Sequence, residues 1–81
     1  MATGKIAENV TAPAICLRIG RKVRDLRTRK GWSQRMLADH AQIEQAHLAR
    51  LETGQIEPGV IVLERIAIAL GVETFELLKG L

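Results

Sequence analysis

Apolar residues recur along this chain at three- and four-residue spacing, broken by short polar or glycine-containing stretches. Ile15, Ile19, Val23 and Leu26 form one stripe, which predicts an amphipathic helix over residues 14–30 that Gly31 ends. Leu37, Ala38 and Ala41 form a shorter set behind Ser33. Ser33 is a good N-cap, because its side-chain oxygen can face the free N–H groups of a helix opening at Gln34. A third set is Ile43, Leu48 and Leu51, of which Leu48 and Leu51 are one turn apart. Leu63, Ile66, Ala67 and Leu70 make the core face of a helix over residues 60–70, entered through Pro58 and Gly59 and stopped by Gly71. A short last helix over residues 74–79 carries Leu77 and Leu78. There is almost no strand signal, so the pattern predicts an all-α fold.

Residues 33–54, SQRMLADHAQIEQAHLARLETG, are the most informative stretch. They read as two short helices joined by a tight turn near Gln42, with the small Ala38 where the helices pack closest. The second helix leaves Gln45, Ala46, His47, Ala49, Arg50 and Thr53 on its outer face. That is the layout of a helix-turn-helix, whose second helix lies in the major groove of DNA. Gln pairs bidentately with adenine and Arg with guanine, so Gln45 and Arg50 are the natural base readers. Two short alanines beside them let the backbone approach the bases. Spacing alone also fits a generic helical bundle whose polar residues are merely solvated.

The linked motifs IGRKVRDLRTRKGWSQ, LA at 37–38, LARLETGQ, PGVIVLERIAIALGV and ELLKG separate these readings. Together they resemble the phage-repressor and Cro-like (XRE-type) helix-turn-helix domains over residues 17–81. The resemblance implies a compact, lambda-repressor-like five-helix bundle that binds double-stranded operator DNA, usually as a two-fold dimer. It implies that Gln34 binds a phosphate and braces the recognition helix, and that Gln45, Ala46 and Arg50 face base edges. Thr53 and the Gly54–Gln55 loop would contact backbone phosphate. His47, apart from the resemblance, reads from its place on the outer face as a solvated or DNA-facing side chain. Arg27 and Glu52 would form an internal ion pair tying the first helix to the end of the third.

Composition bounds the alternatives. One domain of 81 residues has too small a core for a deep enzyme pocket with its supporting shell. The single Cys16 excludes an internal disulfide framework and suits a reducing cytoplasm. No run is long enough for a membrane span, and no signal peptide precedes the domain. Residues 17–30 hold seven bases against Asp25 alone, whereas residues 31–81 carry four bases and seven acids. The positive field therefore sits on the first helix and should draw a polyanion to one side. Arg29 and Lys30, nearest the second helix, are the candidates for phosphate contact.

Several positions depart from the family pattern. Gln42 stands where the turn usually carries Gly, at some steric cost. Glu44 replaces the usual Ser or Thr cap of the recognition helix; it favours the helix dipole but would repel phosphate. Glu57 stands where relatives often place a base. Ile61, Ile68 and Phe75 replace commonly polar residues, and Ile61 and Ile68 share one helix face. They should build an apolar patch for a homodimer contact, unless the N-terminal segment folds back over them through Ile6, Val10 and Ile15.

Residues 1–13 read as a flexible arm preceding a domain over residues 14–81. His40 and His47 lack the Cys or acidic partners of a metal site, and Cys16 lacks a nearby His for nucleophilic chemistry. Cys16 should be a small buried residue and Trp32 a packing residue, while Gly20 should permit close packing. No catalytic constellation, metal, cofactor or small-molecule substrate is expected, and no effector domain follows residue 81. The expectation is a non-enzymatic, cytoplasmic, homodimeric regulator on an inverted-repeat operator. The rival is an antitoxin-like protein-interaction module for which DNA is secondary.

Overall fold

The computed structural model describes residues 13–79. Helix α1 spans Ala14–Arg29, α2 Gln34–Ala41, α3 Gln45–Glu52 and α4 Val60–Leu70, and a 3₁₀ turn, Thr74–Leu77, follows. No strand occurs among the described residues. Helix α1 packs chiefly on α3 and α2 on α4, and Leu77 closes the base of the core. That core is aliphatic: Ile19, Val23, Leu37, Ala38, Ala41, Leu48, Leu51, Leu63, Ile66, Ala67, Leu70 and Leu77 are buried together.

Local chemistry accounts for the helix ends. Ser33 caps α2, its Oγ accepting from the Met36 N–H at 3.1 Å. Gln42 ends α2 in the left-handed region (φ 59°, ψ 47°). Its neighbour Ile43 donates back to the Ala38 carbonyl at 3.0 Å and packs partly against the core. This is the Schellman arrangement, in which the helix stop and a hydrophobic contact arrive together. At Gly54 the backbone also has positive φ, 76°, and a Cβ there would lie 2.9 Å from the Leu17 Cα. No L side chain fits that corner, so the chain leaves α3 only through glycine.

Two expectations change. The inward face of α1 is Cys16, Ile19, Gly20 and Val23, with Leu26 half-buried, whereas Ile15 is 50% exposed. The cause is at Gly20, where a Cβ would run into the backbone carbonyls of Leu51 and Glu52. The close approach of α3 there turns α1 so that Cys16, four residues earlier, faces inward. The fifth helix is a single 3₁₀ turn over Thr74–Leu77, held by bonds such as Glu76 N–H to Glu73 O (2.9 Å) and Leu78 N–H to Phe75 O (3.0 Å). Four residues are too few for an α-helix with its own ladder, and the tighter turn suffices to bury Leu77. Leu78, beside it, stays exposed. The proposed arm over residues 1–13, with Ile6 and Val10, lies outside the described residues save for Pro13.

Candidate nucleic-acid interface

Helix α3 buries Leu48, Leu51 and Glu52. With about 100° between successive residues, the ridge directly opposite is Ala46, Arg50 and Thr53, and all three are exposed. Gln45 is exposed at the helix's leading end. Ala46 lies between Gln45 and Arg50 on this surface and offers no bulk to hold a flat partner away. His47 departs from expectation. It lies on the flank, half-buried, with its Nε2 shielded from solvent and unpartnered among the described residues. Ala49 is half-buried on the other flank.

What holds α3 in place is a charged network beneath it. Arg27 donates from Nε to Glu52 Oε2 at 2.7 Å and from Nη2 to Oε1 at 2.9 Å. Its Nη1 donates to the Trp32 carbonyl at 2.8 Å. Gln34 donates through Nε2 to Glu52 Oε1 at 3.0 Å. Glu52 thus accepts three bonds from α1 and α2 and joins all three helices at one carboxylate. The two ion-paired side chains are only 11% and 2% exposed, so water screens this fork little. Gln34, expected to brace α3 and bind phosphate, does the bracing through this bond.

At the far end, Thr53 Oγ1 donates to the carbonyls of Ala49 (3.1 Å) and Arg50 (3.2 Å) and accepts from Gln55 Nε2 at 2.8 Å. The single hydroxyl hydrogen is therefore committed to the helix. Of the two residues expected to donate to phosphate here, Gln55 retains a free amide hydrogen and Thr53 does not. Arg29 is exposed at the end of α1. Lys30 holds its Nζ 4.8 Å from the Trp32 ring centroid, a cation–π contact. Trp32 also stacks on His40, centroids 4.4 Å apart and planes within 7°, while packing partly on the core. The Trp32–His40 stack, the Gln34–Glu52 link and the Thr53–Gln55 pair join residues whose contact no spacing rule anticipates. Among the described residues no helix is long and apolar enough to cross a membrane.

A family model for helix-turn-helix proteins (HTH_3) matches residues 23–77. The SPbeta prophage-derived uncharacterized HTH-type transcriptional regulator YonR of Bacillus subtilis (strain 168) is 38% identical over 61 residues, 75% of this chain and 56% of that protein. The competence pilus inhibition repressor of Acinetobacter baylyi is 41% identical over 49 residues, 60% of this chain and 44% of that one. The chain thus spans about half the length of the curated relatives it matches. Among solved structures, the restriction-modification controller protein C.AhdI from Aeromonas hydrophila is similar with a TM-score of 0.78 at 32% identity, covering 80% of this chain and 98% of that chain. The clp gene regulator ClgR from Corynebacterium glutamicum gives 0.76 at 29% identity, covering 82% and 86%. A braced second helix with an exposed polar ridge and this pattern of likeness have one reading: the chain belongs to the XRE-type helix-turn-helix family of DNA-binding transcriptional regulators.

Proposed function

We propose that this protein binds an inverted-repeat operator as a homodimer, each protomer placing α3 in the major groove, and represses by occupying a promoter. The observation that carries the reading is the exposed Gln45–Ala46–Arg50 surface on a helix whose opposite side is anchored through Glu52 to α1 and α2. A base-reading helix must be rigid before it docks, because looseness lowers affinity for every sequence alike. Arg50 reads guanine and Gln45 adenine. Gln55 and Arg29 hold the phosphate backbone, with Lys30 oriented by the Trp32 ring; His47 has no part in base contact.

Dimerisation has its own support. Ile61, Ile68 and Phe75 are 64%, 71% and 59% exposed, and Val60 and Leu78 are exposed too. Ile68 continues into a shallow groove of about 260 Å³ shared with His40, Ala41, Gln42 and Arg65. So many large apolar side chains at the α4 end of a small domain suit a self-complementary contact. With that contact on the two-fold axis, half-site centres fall about 34 Å apart, one turn of DNA.

Selection from random duplexes, followed by binding to the winner and to a scramble at two salt concentrations, tests the reading. A two-fold motif with half-sites one turn apart, preferred over the scramble, is expected. Weak, salt-sensitive binding with no motif would mean that the basic first helix merely attracts phosphate. The protein with Ile68→Asp and Phe75→Asp should be a folded monomer by light scattering; an unchanged dimer mass would sink the dimer assignment.

A further inference from the structure

Glu44 begins its helix without capping it: the charge suits the helix dipole, but the carboxylate leaves the free N–H groups unbonded. Its backbone has the extended conformation of an N-cap (φ −74°, ψ 143°), yet its side chain makes no cap hydrogen bond. Ser33 shows what a cap does in this same fold, accepting from the N–H three residues on. Glu44 is exposed, and its carboxylate has no hydrogen bond or ion pair among the described residues. A free negative charge at the leading end of a DNA-reading helix also opposes phosphate. Two local rules are broken at one residue, and such breaks concentrate where function demands them.

The chemistry of the major groove says what that carboxylate selects. An ionised carboxylate accepts hydrogen bonds and donates none. Guanine shows only acceptors in the major groove, and thymine an acceptor beside a methyl group. Adenine offers its N6 amino group beside the N7 acceptor, a pattern that suits an amide and repels a carboxylate. Cytosine shows the N4 amino donor alone. Residues at the leading end of a recognition helix are the ones that reach base edges. We infer that Glu44 is a specificity residue that accepts a hydrogen bond from the N4 amino group of one cytosine in each half-site. This rests on reading α3 as the major-groove helix and adds a base preference to it. The carboxylate lowers affinity for all DNA through phosphate repulsion and recovers it only where a cytosine amino group is in reach, so it sharpens discrimination.

The test is selection from random duplexes with the wild type, Glu44→Gln, Glu44→Ala and Glu44→Ser, with circular dichroism to verify folding. Wild type should return a cytosine at one position of each half-site. Glu44→Gln should move that position to adenine, and Glu44→Ala should leave it unspecified while the rest of the motif stands. Glu44→Ser should melt at a higher temperature, because it restores a cap, and still lose the cytosine. Affinity for scrambled DNA should rise in all three variants. Replacing the cytosine by pyrimidin-2-one, which lacks the 4-amino group, should weaken wild-type binding on the order of tenfold and leave Glu44→Ala unchanged. An identical motif from wild type and variants, or an equal pyrimidinone effect on wild type and Glu44→Ala, overturns the assignment while leaving the operator reading intact. A wild type that selects no motif overturns both.

Discussion

Replacing Glu52 by Ala removes the carboxylate on which α1, α2 and α3 converge. It takes away the acceptor of two Arg27 bonds and one Gln34 bond, and leaves the guanidinium, 11% exposed, with only the Trp32 carbonyl. Breaking a buried pair from one side costs about 3–5 kcal/mol, because the remaining charge is neither solvated nor paired. A domain of 81 residues has a total stability of roughly 4–12 kcal/mol. The variant should therefore lose about a quarter or more of its stability and unfold at much lower urea. The double variant Arg27→Met, Glu52→Leu removes both charges and should recover most of that loss, since an apolar pair of similar volume is often as stable as a buried ion pair. Urea denaturation read by circular dichroism and by Trp32, the single tryptophan, gives the three free energies. A Glu52→Ala loss below about 1 kcal/mol, or a double variant no more stable than Glu52→Ala, would refute the view of Glu52 as a buried coupled charge.

Three further outcomes follow from the geometry. Gly20→Ala should destabilise by about 1–3 kcal/mol despite alanine's better helix propensity, because its Cβ meets backbone carbonyls that cannot step aside; thermal melting checks it. Gln42→Gly should stabilise by roughly 1 kcal/mol, since glycine takes the left-handed conformation without steric cost, and chemical denaturation would show a raised midpoint. Arg50→Ala should weaken operator binding by about 1–3 kcal/mol and relax preference at one base position, while binding to scrambled DNA changes far less in a titration at fixed salt.

The sequence by itself determined where helices begin and end, because those signals act within one turn of the chain. Ser33 caps its helix, Gln42 adopts the positive φ that the turn requires, and the apolar faces of α2 and α4 are buried as their spacing predicts. The turn at Gln42 is legible even without a glycine, since a non-glycine stop is disfavoured but not forbidden. The lack of a side-chain cap at Glu44 is legible for the same reason, as a carboxylate on a longer stem caps poorly.

What only the tertiary structure decided depends on residues far apart in the chain. The sequence places both Ile15 and Cys16 inward; with the carbonyls of Leu51 and Glu52 crossing over Gly20, Cys16 is buried as expected and Ile15 is left half exposed. A family resemblance implies that Arg27 meets Glu52 and that Gln34 braces the recognition helix, but that Gln34 does so through the same carboxylate is decided only when α2 is laid beside the end of α3. The outer face of α3 reads as six residues in sequence; packing narrows it by half-burying His47 and Ala49. At its end, the Thr53 hydroxyl is turned onto the helix's own carbonyls. Spacing along a helix places a side chain only to within a turn of the wheel, about 100° per residue. Which of two neighbours is buried, and which donor remains free, is settled by the helix that packs against it.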